Sequence, residues 1–164
     1  MSSIELEVPL AFWEATLGIF EGFAHREVEG GCLWYGARAP GRTRVALIGV
    51  PRQLNHRQNF EIPPDALAQL NQAVPDGLEV VGQLHGHPGD DVRHSWWDDD
   101  LVVSRRIASV VLPRWGAAPV VMDEVGVHAF EGGTWERLDR DRAARMITFD
   151  PSPLDGPPMV LDLR

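Results

Sequence analysis

Cysteine is nearly absent from this chain: Cys32 stands alone among 164 residues. That excludes an intrachain disulfide and any Cys-rich zinc site. No stretch approaches the roughly 20 apolar residues that a membrane-spanning helix needs, so no membrane association is expected. The start, Met1-Ser2-Ser3-Ile4-Glu5, lacks the basic patch and apolar run of a secretory signal. The cytoplasm is therefore the expected compartment. Basic residues are a minority, 15 against 24 acidic ones, which leaves a net charge of −9. Phosphate contacts need a basic face, so no nucleic-acid partner is expected. Internal repeats and low-complexity tracts are also missing.

The rest is a globular composition, 44% hydrophobic and 24% charged, at a length that suits one domain with a proper core. We expect that domain over 1–147. Residues 148–164 carry Pro151, Pro153, Pro157 and Pro158 and read as an extended tail. The tail is either strapped onto the domain or free for a partner, and Met159 to Leu163 could add a strand to a sheet edge.

Helical spacing of Trp13, Leu17, Phe20 and Ala24 predicts an amphipathic helix over Pro9–Ala24. Gly30-Gly31 is a break. Cys32–Gly36 and Thr43–Val50 read as two strands of a hairpin, and Pro51–Pro64 as a polar connection. Pro63-Pro64-Asp65 opens a helix over Ala66–Val74. Leu78–Leu84 is a strand that delivers His85 to its end. Ser95 caps a helix that should run to Arg105 or Arg106, with Asp98, Asp99 and Asp100 in a first turn that favours negative charge. Ile107–Leu112 is a strand, Val125–Phe130 and Thr134–Leu138 form a hairpin, and Asp139–Met146 is a short helix. The order implies an α/β fold, a mixed β-sheet with helices on its faces.

The chemistry concentrates in His85-Gly86-His87-Pro88 and Ser95-Trp96-Trp97-Asp98. Alternate residues on a strand share a face, so His85 and His87 can reach one ion. Two imidazoles and a carboxylate with a fourth position open is a catalytic rather than structural zinc pattern. Ser95 and Asp98 lie three apart, on one helix face, where capping and ligation are compatible. Other His-x-His patterns fail. A metallo-β-lactamase-type site would need Asp-His where Gly89 and Asp90 stand. A cupin needs a nearby Glu, and none occurs between Glu79 and Glu124. A zinc deaminase needs a Cys pair, and no His-Glu-x-x-His is present.

The whole pattern resembles the JAMM (MPN-plus, JAB domain) metallopeptidase family. His85-x-His87-Pro88, seven residues from Pro88 to His94, then Ser95-x-x-Asp98 match its motif. Glu29, seven residues before Gly36, has the spacing of its upstream glutamate. The chain departs from the family at Gly86, often Ser or Thr there, and at Cys32, often glycine. The resemblance implies a JAB/MPN, cytidine-deaminase-like architecture over roughly residues 10–140. It also implies Zn²⁺ held by His85, His87 and Asp98, Glu29 as general base, and Ser95 as oxyanion donor. Glu27 competes as base, sharing a face with Glu29 if both lie on a strand. Asp99 and Asp100 compete as ligands but lack the spacing.

The resemblance further implies cleavage after the C-terminal tail of a ubiquitin-like protein or its conjugates. The connections 51–64 and 113–124 are short. They point to the compact prokaryotic branch, which accompanies ubiquitin-like conjugation and antiviral-defence systems with E1/E2-like proteins. Alternatives are a processing peptidase for a sulfur carrier and a non-catalytic MPN-type scaffold. The substrate tail would dock as an added strand at a sheet edge. Cys32 reads as core, His94 as a solvated loop residue, and one of Trp96 and Trp97 as a packed anchor. His25, His56 and His128 have no role.

Overall fold

A computed structural model describes residues 4–164. The chain opens with β1 (Glu5–Pro9), whose Leu6 and Val8 turn inward. Glu5 to Val8 alternate polar and apolar, a four-residue pattern too short to mark a strand ahead of the first helix. Pro9 fixes the backbone at the start of α1 (Leu10–His25), since its locked φ suits a helix entry. α1 buries Phe12, Trp13, Thr16, Phe20 and Phe23.

Next come β2 (Gly31–Gly36), β3 (Arg42–Arg44) and β4 (Leu47–Val50). The single strand expected over Thr43–Val50 is two. The Val45 N–H bonds to Glu7 and the Ala46 N–H to Tyr35, so the chain changes pairing partner between those residues. The connection after β4 is not structureless: β5 (Leu54–Asn55) and β6 (Phe60–Glu61) form a small hairpin. α2 (Pro64–Ala73), β7 (Glu79–Gly86) and α3 (Trp96–Leu101) follow. α3 ends well short of the expected Arg105 or Arg106. The buried Gln83 amide accepts from the Val103 N–H and donates to the Leu101 carbonyl, which replaces the next helical turn. The chain closes with β8 (Ala108–Leu112), β9 (Gly126–Glu131), β10 (Thr134–Arg137), α4 (Arg140–Met146), β11 (Ile147–Asp150) and β12 (Val160–Asp162).

The main sheet is mixed and seven-stranded, in the order β10-β9-β8-β7-β2-β4-β12. A second sheet, β11-β1-β3, is parallel throughout. β2 is buried along its whole length because both faces are covered. Cys32 and Trp34 face the α1 side; Leu33 and Tyr35 face Leu70 of α2. The buried Trp34 indole donates to Thr16 Oγ1, 3.0 Å away, and the Thr16 hydroxyl donates to the Phe12 carbonyl. Cys32 is core, as its setting in an apolar strand suggested.

The segment 148–164 is strapped onto the domain at two places. β11 pairs with β1, and β12 lies parallel to β4 at the edge of the main sheet. Among the described residues no helix is long and apolar enough to cross a membrane.

β7 and β8 are parallel neighbours. Parallel pairing requires a crossover, and that crossover carries His87, Ser95 and Asp98. The fold thereby places the chemistry-bearing residues beyond the C-terminal end of β7.

Candidate metal centre

β7 ends at Gly86 and aims the His85 and His87 rings to one side. Their Nε2 atoms lie 3.1 Å apart. α3 supplies the third group. Ser95 is its N-cap, accepting from the Asp98 N–H at 3.2 Å, while Asp98 Oδ2 accepts from the Ser95 N–H at 2.6 Å. This reciprocal pair is a capping box with aspartate as its acid. It locks the Asp98 carboxylate, 4% exposed, with Oδ1 3.2 Å from His85 Nε2 and Oδ2 3.2 Å from His87 Nε2. The cap and the site are one piece of local structure.

Three donor atoms converge, and their arrangement fits a divalent cation. Tetrahedral ligands about 2.0–2.1 Å from an ion stand about 3.3 Å from one another, close to the separations seen. The donor chemistry agrees. The Asp91 carbonyl, which can only accept, lies 2.8 Å from His87 Nδ1. That nitrogen therefore carries the hydrogen, and Nε2 presents its lone pair to the site. Burial holds the His85 ring below its ordinary pKa despite Asp98 beside it, so it too is a neutral donor. Burial would raise the Asp98 carboxyl, but the adjoining His85 and His87 rings and the Ser95 N–H outweigh it and keep the group ionised. His87 is lowered by burial, but Asp98 and Asp91 reverse this and leave it raised.

Gly86 is small for a steric reason. A Cβ there would sit 2.8–3.0 Å from the backbone of Trp115. Trp115 and Arg114 adopt φ of 55° and 52°, the left-handed region that non-glycine residues rarely occupy. The Trp115 N–H donates to the His87 carbonyl at 2.6 Å, and its indole N–H to the Arg57 carbonyl at 3.0 Å. The Arg57 guanidinium lies over the same ring, 5.2 Å from its centroid. Trp115 thus ties the loop that carries His87 to the turn of the β5–β6 hairpin. Nothing in the local sequence signals this.

That hairpin in turn holds Glu29. The Glu29 N–H donates to the His56 carbonyl at 2.7 Å, and the Asn55 side chain donates to the Glu29 carbonyl at 2.9 Å. Gly31 pairs with His85 across the β2–β7 ladder. Extending that antiparallel register by two residues sets Glu29 opposite His87. Its carboxyl is 5% exposed and pushed up to about 7, by burial first and by Asp98, with His87 opposing. Glu27 is not its neighbour on a strand. It occupies a turn with φ of 52°, and its exposed carboxylate pairs with Arg57.

Glu29, His87, Ser95 and Asp98 share the lining of one cleft of about 510 Å³. Asn59 and Gln58 line it as well, residues that fell in a stretch read only as polar connection. Trp96 and Trp97 complete it. They are 74% and 40% exposed, so neither is the packed anchor expected: the short α3 presents both to the cleft. Asp99 points elsewhere, to His94.

His94 is a correction too. Its side chain is 6% exposed rather than solvated. Nδ1 meets Asp99 Oδ1 and Nε2 meets Ser109 Oγ, each at 2.8 Å. It stacks on His128 with centroids 4.0 Å apart. His128 is 1% exposed, and neither ring nitrogen has a hydrogen-bond partner among the described residues. Ser109 and His128 face each other across β8 and β9, a pairing that no sequence motif marks.

No family model matches the chain, and no curated protein matches it. Solved structures do. Protein DSY2949 from Desulfitobacterium hafniense is 15% identical, with 90% of this chain and 94% of that one covered and a TM-score of 0.66. AF2198, a JAB1/MPN domain protein from Archaeoglobus fulgidus, is 17% identical over 83% of this chain and 95% of that one, with a TM-score of 0.45. The first likeness is one of fold alone.

Proposed function

We propose that this protein is a zinc metallopeptidase of JAMM type that hydrolyses the peptide or isopeptide bond after the tail of a ubiquitin-like protein. The observation that carries the reading is the convergence of His85, His87 and Asp98, two of which share one cleft with a buried, separately held carboxylate, Glu29. A structural site would enclose its ion with four protein ligands; three protein donors on an open cleft suit a catalytic one.

His85, His87 and Asp98 would hold the ion, and zinc there would supply Lewis-acid polarisation of the scissile carbonyl and a more acidic water. The chain's own groups do the rest. Glu29, poised at about 7, takes a proton from the attacking water and returns it to the departing amine. Burial tunes it for this: an ordinary exposed glutamate would be a weaker base. The Ser95 hydroxyl accepts from Asp98 N–H, which leaves its hydrogen free for the oxyanion. One such donor is worth roughly 2.7–4 kcal/mol.

The test is cleavage of a ubiquitin-like domain fused through its tail to a reporter, by zinc-loaded protein. Glu29→Gln should abolish turnover while elemental analysis still finds one zinc per chain. Full activity in that variant would refute the assignment of the base. Zinc uptake with no turnover on any such fusion would point instead to a binding scaffold.

A further inference from the structure

Two tryptophans on one lip of a cleft, one of them three-quarters exposed, need a reason. Exposed indoles are uncommon on a surface with no partner. Trp96 and Trp97 meet edge to face, with centroids 5.4 Å apart and planes at 89°. Two rings at right angles make an open corner with apolar walls. Both rings line the cleft that holds Glu29 and His87.

The helix that carries the corner bears charge of one sign. Asp98 turns inward, but Asp99 and Asp100 remain exposed on the same short helix. Asp100 lies four residues from Trp96, one turn along the same face. Three nearby arginines are engaged by acids: Arg57 by Glu27, Arg93 by Asp91, and Arg114 by Asp90 and Glu124. An apolar side chain would use the indoles alone. A lysine or arginine uses both features, its alkyl stem against the rings and its cation between the π faces and the Asp100 carboxylate.

We propose that Trp96 and Trp97 are specificity-determining residues that select a polypeptide with a lysine or arginine side chain close to the bond presented to His85, His87 and Asp98. The proposal takes from the peptidase reading that the occupant is a polypeptide. Gln58 and Asn59 line the same cleft and offer carboxamides, which suit the main-chain amides of an extended segment. The net charge of −9 favours the approach of such a basic segment over an acidic one.

The test uses the full chain, zinc-loaded, with Glu29→Gln to prevent turnover. Indole fluorescence reports the binding of blocked Gly/Ser peptides in which one position at a time is lysine, norleucine or glutamate. At one position lysine should bind about tenfold more tightly than norleucine, and glutamate more weakly than either. The lysine advantage should shrink in 0.5 M salt. Trp96→Ala, at an exposed position, should fold and keep its zinc yet lose the advantage; Asp100→Asn should reduce it. Equal binding of lysine and norleucine at every position, no binding of any peptide, or an unchanged preference in Trp96→Ala would overturn the proposal. Cleavage by the wild type is scored separately. Turnover without lysine preference removes the corner and leaves the peptidase reading; lysine-selective binding without turnover does the reverse.

Discussion

Replacing His128 with phenylalanine should change how stability depends on pH, and the size of the change follows from the burial of this ring. Both ring nitrogens are sealed from solvent and neither makes a well-formed hydrogen bond among the described residues, the Ser109 backbone opposing the effect of burial only weakly. Burial, with the neighbouring His94 and His85 rings adding to it, pushes the imidazole from 6.5 down to about 3. In the unfolded chain it regains its ordinary value near 6.5. Between the two values the unfolded state binds a proton that the folded state does not. Stability is therefore intact above pH 6.5 and falls as the pH drops through 6.5 towards 3. One proton corresponds to about 1.4 kcal/mol per pH unit, so at pH 5 the wild type should have lost about 2 kcal/mol through this residue alone.

Phenylalanine keeps a ring stacked on His94 and removes both orphaned nitrogens, each of which costs roughly 1–3 kcal/mol when buried unpaired. Its slightly larger ring adds strain, but equally at every pH. The informative quantity is thus the difference between variant and wild type at pH 5 minus that at pH 8. Urea unfolding with chelator present, so that protons and metal do not compete, should give about 2 kcal/mol in favour of the variant. A difference that does not change with pH would refute the argument and show that His128 finds a proton acceptor when charged.

Three other perturbations test the construction of the site. Gly86→Ala should destabilise by about 1–3 kcal/mol, because its Cβ meets the Trp115 backbone at 2.8–3.0 Å; zinc affinity, measured by competition with a chelating dye, should fall with it. Trp115→Phe removes the indole N–H that reaches the Arg57 carbonyl but keeps the ring. On the proposed peptidase reading it should lower kcat more than zinc affinity, since it frees the hairpin behind Glu29 while leaving His85, His87 and Asp98 in place. Glu29→Gln in metal-free protein should gain stability relative to wild type as pH rises. The folded carboxyl at about 7 holds a proton that the unfolded one releases near 4.5, so the wild-type contribution is present below 4.5 and is lost through about 7. Equal thermal midpoints for the two proteins at pH 4.5 and at pH 8 would contradict this.

The sequence was most readable where one residue satisfies several constraints at once. Ser95 and Asp98 had to be a helix cap on propensity alone, and their reciprocal hydrogen bonds aim the carboxylate; the cap and the donor were a single pattern. The strand before His85 was legible because both faces are buried and its register follows from β2. What stayed hidden was tertiary. Trp115 acts through a left-handed backbone and a contact with Arg57, 58 positions away, and neither is encoded by local periodicity. His94 looked solvated because its flanks are polar, yet Ser109 and Asp99 take both of its nitrogens. Helix α3 stopped early because Gln83, some 20 residues upstream, supplies its terminal hydrogen bonds.

That early stop bears on function. Ending at Leu101, α3 is six residues long, too short to stand without tertiary support. Its ends are held by the Ser95 cap at one side and Gln83 at the other, not by its aromatic residues. The indoles are thereby released from structural duty and left at the cleft. Asp98 lies within one turn of its cap, where the reciprocal hydrogen bonds with Ser95 hold it. A helix this short makes structural sense as a mount for one carboxylate, and the two tryptophans are the part of it that stability alone does not explain.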